Sequence, residues 1–173
     1  MITGFDHLVI AVRDLAQGVR AYETLLGRSA EPTREDDGVA TTLIVTNNVA
    51  VELMAPVGDG ETAQRLRAAL EAGEGLKSVV FASGDLAATH RRLERVGLAP
   101  AAINERAGWS SFRIDTERSH GVRLFALQRE AALSAQPGLP DGVTGLDHIV
   151  IRTPDAERAA ALYGARLGLD MRL

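Results

Sequence analysis

Cysteine is absent from this chain of 173 residues. No disulfide staples it and no thiolate can hold a metal, so its stability must come from a packed core and any metal from His, Asp or Glu. Lysine is nearly absent too: Lys77 stands alone among many arginines, a bias of composition. The net charge of −4 lacks the basic excess of a nucleic-acid binder. No apolar run approaches the length of a membrane span, and MITGFDHLV is not a signal peptide. The expected address is the cytoplasm, with neither nucleic acid nor membrane as partner. What remains, 46% apolar and 24% charged residues, is the composition of an ordinary globular protein, long enough for one full domain plus an extra piece.

One stretch is written twice. Residues 4–27 begin GFDHLVIAVRDL and end LLG, and residues 145–168 begin GLDHIVIRTPDA and end RLG. Gly4, Asp6, His7, Val9, Ile10, Asp14, Tyr22, Leu26 and Gly27 recur without a gap as Gly145, Asp147, His148, Val150, Ile151, Asp155, Tyr163, Leu167 and Gly168. Such repetition means assembly from copies of one supersecondary unit. The later copy stops at Leu173, where its own strands should follow, so a truncated or processed product of a longer, four-module protein is expected.

Residues 5–12 read as a strand rich in Val and Ile. Asp14 then occupies an N-cap position with Gln17 three residues on, Leu15, Val19, Tyr22 and Leu26 follow at helical spacing, and Gly27 supplies the stop. Val39–Thr46 and Val49–Met54 read as two strands around Asn47-Asn48, with a short strand expected within 28–34. A connector carries an amphipathic helix over 61–73. A second, degenerate unit follows: strand 77–83, a helix capped by Asp85 and ended by Gly97, then strands 110–116 and 121–127. KSVVFASGDL aligns with DHLVIAVRDL without a gap. The domain organisation expected is therefore 1–127 (modules 1–55 and 76–127), a Pro/Gly-punctuated linker at 128–142, and a partial third strand–helix module at 143–173.

DHLVIAV…DL…Y…LLG followed by a hairpin ending in VELMAP resembles the vicinal oxygen chelate superfamily, which includes glyoxalase I, bleomycin-resistance and fosfomycin-resistance proteins and extradiol dioxygenases. The resemblance implies an α+β fold: paired βαβββ modules forming an incomplete barrel, with a cleft on the concave sheet. It implies no single activity, because function lives in sites rather than folds.

Strand alternation places His7, Val9, Ala11, Ala50, Glu52 and Met54 toward the cleft in module one. In module two it places Ser78, Val80, Ala82, Trp109, Ser111, Arg113, Arg123, Phe125 and Leu127 there. The family holds a divalent metal with one residue from each first strand and one from each last strand. Those positions match His7, Glu52, Ser78 and Phe125. His7 and Glu52 suit Fe, Mn, Ni or Zn; Ser78 is a poor ligand and Phe125 none, so the site is one donor short of the three that a catalytic site takes. His120 is a conceivable third ligand. His148 stands where the dioxygenases place the first histidine of their metal site, or else DH only marks the start of a strand. The alternative for His7 and Glu52 is a satisfied polar pair; a cleft with no metal at all is the third possibility.

Trp109, Arg113 and Arg123, with Ser78, Ser111 and Phe125, form a wall able to bind an anionic, planar ligand, unless the arginines are spent on Glu52 or Asp115. His90 and the runs RRLER and REDD read as solvated faces. The leading expectation is a glyoxalase/dioxygenase-type metalloenzyme acting on a small oxygenated, acidic substrate, with Glu52 catalytic. Its rivals are a metal-free binding or sequestration protein of the bleomycin-resistance type, as a homodimer around a small-molecule ligand, and a non-catalytic N-terminal barrel.

Overall fold

The structure is a computed structural model that describes residues 1–169; residues 170–173, and with them the end of the third copy, lie outside the described residues. The element order is β1 (Ile2–Ala11), α1 (Leu15–Leu26), β2 (Arg34–Asp36), β3 (Val39–Val45), β4 (Ala50–Pro56), α2 (Glu61–Glu71), β5 (Gly75–Ser83), α3 (Leu86–Arg95), β6 (Asn104–Arg106), β7 (Trp109–Arg113), β8 (Leu124–Arg129) and α4 (Ala156–Ala160). The last continues into a π-helical turn over Ala161–Arg166. Setting α2 and the last helix aside, βαβββ occurs twice, which is the expected α+β fold. The chain divides into two compact units.

One unit holds His7–Lys77 and Leu133–Asp147. Here β2, β3 and β4 form an antiparallel meander, and β4 runs parallel to β1 with His7 opposite Ala50, Val9 opposite Glu52 and Ala11 opposite Met54. Helix α1 starts where the Asp14 carboxylate accepts the Gln17 N–H at 2.9 Å and stops where Gly27 turns left-handed at φ 63°. Its apolar stripe, Leu15, Val19, Tyr22 and Leu26, packs on Ile10, Val12, Ile44, Val51, Leu53 and Ala55. Truncating the fully buried Leu53 should cost about 2–5 kcal/mol.

The other face of this sheet is only partly open. Ala63, Leu66 and Leu70 of α2 cluster with Ala11, Val39 and Met54, so the connector helix lies across one end of the face that carries His7 and Glu52. Asp37 supplies the N-terminal cap that Gly60 cannot, accepting the Thr62 N–H at 2.7 Å. Segment 133–147, which spans the end of the expected linker (128–142) and the start of the expected third module, is packed down: the Arg28 guanidinium donates to the carbonyls of Gln136 and Val143 and to Asn47 Oδ1.

The other unit holds Met1–Asp6, Ser78–Ala132 and the described residues from His148 onward. Strands β5 and β8 are parallel, and β6, β7 and β8 form the second meander. Asp85 caps α3 through the Ala88 N–H at 2.8 Å, and Leu86, Thr89 and Leu93 are buried beneath it. Asp155 does the same for α4 through the Arg158 N–H at 3.0 Å, the third use of one capping device. Leu162 and Leu167 are buried, whereas α4 itself has no buried residue, so the helix of the third copy packs by one edge.

Several expectations shift. The last hairpin has its strands at Trp109–Arg113 and Leu124–Arg129 rather than 110–116 and 121–127, because Asp115 nucleates a turn by accepting the N–H groups of Glu117 and Arg118. The short strand expected within 28–34 lies at Arg34–Asp36, and its counterpart Asn104–Arg106 was not expected at all. The first strand expected at the start of the third module (143–173) is not formed: residues 146–152 carry no strand, and Val150 is 78% exposed. His90 is not on a solvated face: its Nε2 lies 2.9 Å from the Ala101 carbonyl and its ring meets Phe112 edge-on at 5.0 Å. Among the described residues no helix is long and apolar enough to cross a membrane.

Candidate functional site

In the first unit the parallel ladder between β1 and β4 sets His7 one step from Glu52 on the same face. His7 Nε2 lies 3.5 Å from Glu52 Oε2, with the imidazole almost wholly buried and the carboxylate about a quarter exposed. The sheet places Val9 and Leu43 on either side of Glu52. The result is a carboxylate oriented by an imidazole, reachable from solvent on one side and walled by aliphatic groups. Such a pair can accept and return a proton.

The second unit gathers a different set. Phe125 lies opposite both Val80 and Arg113, Ser111 opposite Leu127, and Trp109 opposite Arg129, so Trp109, Ser111, Arg113 and Phe125 share a face. Arg123 lies just before β8, two residues from Phe125, and its carbonyl accepts the Val79 N–H at 3.0 Å. Trp109, Ser111 and Phe125 are half-buried, Ser78 is buried, and Arg113 and Arg123 are exposed. Neither arginine has an ion-pair or hydrogen-bond partner for its side chain among the described residues. Asp115, an expected partner, is committed to its own turn.

One pair on this unit escaped sequence reasoning. Arg129 grips Asp6 with both arms of its guanidinium, Nε to Oδ2 at 2.9 Å and Nη2 to Oδ1 at 2.7 Å, and both side chains are largely buried. The only signal was the recurrence of Asp6 as Asp147 in the repeat.

Among the described residues no group of three or more His, Asp or Glu is placed to hold a metal ion. His7 and Glu52 make two donors where a catalytic divalent site takes three. His120 sits exposed in a left-handed turn at φ 56°, and His148 is exposed on the segment before α4. Among the described residues the donor set does not fit a catalytic divalent metal by itself.

A family model described as a glyoxalase-like domain matches residues 5–168. The chain belongs to this glyoxalase-like family. It is 30% identical over 99 residues to an ethylmalonyl-CoA/methylmalonyl-CoA epimerase of Cereibacter sphaeroides, a match covering 56% of this chain and 73% of the relative. Among solved structures it resembles a Streptomyces coelicolor methylmalonyl-CoA epimerase variant bound to 2-nitronate-propionyl-CoA, at TM-score 0.65 and 20% identity over 76% of this chain and all of that one. It also resembles the Mycobacterium tuberculosis methylmalonyl-CoA epimerase, at TM-score 0.65 and 23% identity over 75% of this chain and 90% of that one. At those identities the structural likeness speaks for the glyoxalase-like fold alone, which is the fold of the superfamily that the DHLVIAV motif resembles.

Proposed function

We propose that this glyoxalase-like chain is an enzyme that moves a proton at the carbon beside a carbonyl group of a small acidic substrate, of the acyl thioester class named in its epimerase relative. The observation that carries this reading is the approach of His7 Nε2 to Glu52 Oε2 at 3.5 Å on an aliphatic sheet face. Glu52 is the base: its carboxylate takes the proton and returns it. His7 is a positioning residue, its imidazole fixing the carboxylate rotamer. The divalent metal that the superfamily resemblance implies would need a third protein donor, and no step is assigned to it.

The test is solvent exchange: methylmalonyl-CoA incubated with the protein in D2O, followed by NMR at the carbon between the two carbonyls. Exchange above the buffer rate should fall by about 100-fold or more in Glu52→Gln, a general base contributing roughly that much. Exchange unaffected by Glu52→Gln would sink the assignment.

A second reading, a binding protein without catalysis, is favoured by the donor count of two. It predicts ligand binding with no exchange and no stoichiometric uptake of Mn, Fe, Ni or Zn. A titration beside the His7→Ala/Glu52→Ala double variant separates the two readings from a metalloenzyme, whose uptake would be lost in the variant.

A further inference from the structure

We propose that the unit containing β5–β8 carries an oxyanion-binding subsite formed by Arg113 and Arg123 over the Phe125 ring, able to grip a carboxylate or phosphate at the end of a ligand. The inference rests on this unit alone and stands whether or not the Glu52 chemistry is right.

The geometry comes from the ladder. Arg113 on β7 faces Phe125 on β8, and Arg123, just before β8, precedes Phe125 by two residues, the spacing that strand alternation returns to one face. Diagonal neighbours of this kind have side chains about 7–8 Å apart at their roots, within the span of two guanidinium groups closing on one anion. Two guanidinium groups without a counter-ion leave their charge available to an anion from solution. Carboxylates are not scarce: the chain has 23 acidic residues against 19 basic ones. Yet two acidic side chains of this unit are spent elsewhere. Asp115 accepts two N–H groups of its own turn, and Asp6 is held by Arg129.

Arg129 supplies the contrast within one face. It lies opposite Trp109, is largely buried, and has its full bidentate carboxylate. Arg113 and Arg123 are exposed and have none. A planar guanidinium fork matches a two-oxygen anion, and half-buried Phe125, opposite Arg113, supplies an apolar floor. The ligand class is therefore an oxyanion, dicarboxylate or phosphate, attached to an apolar or planar body.

The probes are malonate and inorganic phosphate, titrated at constant ionic strength against chloride, with heat of binding and Trp109 fluorescence as readouts. Trp109 is the single tryptophan and lies on the same face, so its emission reports this surface. Binding by the wild type should weaken about tenfold or more in Arg113→Gln/Arg123→Gln, the loss expected of charge-assisted pairs. It should stay within about twofold in Arg118→Gln, a turn arginine whose exposed side chain carries no such role. An Arg113→Lys/Arg123→Lys variant keeps the charge and removes the fork; intermediate affinity would support bidentate recognition even if the Gln variant folds poorly. Preference for malonate assigns a carboxylate ligand, and preference for phosphate a phosphorylated one. Binding no stronger than chloride, or equal in the wild type and the Gln and Lys variants, would overturn the subsite.

Discussion

Arg92 and Arg166 cap one another's helices. From α3, Arg92 donates to the carbonyls of Arg166 at 2.5 Å and Ala165 at 3.2 Å, at the end of the π-helical turn. From that turn, Arg166 donates to the carbonyls of Val96 at 3.0 Å and Gly97 at 2.8 Å, at the end of α3. Each guanidinium satisfies the orphan acceptors of the other helix and sits at its negative pole. The helix of the third copy is thus held in cis. Removing the Arg166 side chain should cost about 1–2 kcal/mol of local stability. Hydrogen exchange would show this as faster labelling of 156–167, with 39–56 unchanged. Equal labelling in the Arg166→Ala variant would mean that Leu162 and Leu167 hold the helix unaided.

The Asp6–Arg129 pair should behave as a buried ion pair, in which losing one partner strands the other. Arg129→Ala should destabilise by about 3–5 kcal/mol. An apolar double replacement, Asp6→Leu/Arg129→Met, should recover much of that loss, since it removes both charges of the pair. Urea unfolding of Asp6→Leu, Arg129→Met and the double tests the coupling. Additive losses would show that the two groups do not act as a pair.

Asp37 gives the fold a pH dependence of defined sign. Its carboxyl is held below the ordinary carboxylate value, chiefly by the side-chain and backbone hydrogen bonds from Thr62. A lowered folded-state value means the ionised form favours folding. That contribution is complete above the unfolded-state value near 3.8 and is lost as pH falls through the lower folded-state value. Asp37→Asn keeps an acceptor for the Thr62 N–H but cannot titrate. Its urea midpoint should therefore lose less than that of the wild type between neutral pH and the acid range. Parallel curves for the two proteins would refute the assignment.

Much of this architecture is readable from local chemistry. The Asp14 and Asp85 caps, the left-handed Gly27 and the alternation that sends Leu53 to the core and Glu52 to the opposite face are short-range rules acting within a few residues. Those rules miss β6 and misplace β2 because Asn104–Arg106 and Arg34–Asp36 are exposed triplets with no apolar face; each is held by the neighbouring strand that pairs with it. His90 was misread because its neighbours are charged, whereas Phe112, distant in sequence, decides its environment. The Asp6–Arg129 pair joins residues too far apart for any spacing argument. For the site, alternation finds His7 beside Glu52 and Arg113 beside Phe125, but it cannot count how many donors converge.

Arg28 explains why segment 133–147 is not a free tether. Its side chain is largely buried, and its acceptors are neutral: the Gln136 and Val143 carbonyls and the Asn47 amide oxygen. Asn48 adds a second clasp, its amide both donating to and accepting from the Leu146 backbone. In Arg28→Ala three acceptors lose their donor, and the segment loses its strongest tie to the sheet. The cost should be about 2–4 kcal/mol, part from stranded carbonyls and part from lost packing. The segment should then open more often than the domain unfolds, which limited proteolysis reads directly. Cleavage by a nonspecific protease should concentrate within 133–147 in Arg28→Ala while the wild type resists at the same dose. Cleavage spread across the chain would mean that Arg28 supports the whole unit rather than the segment it clasps.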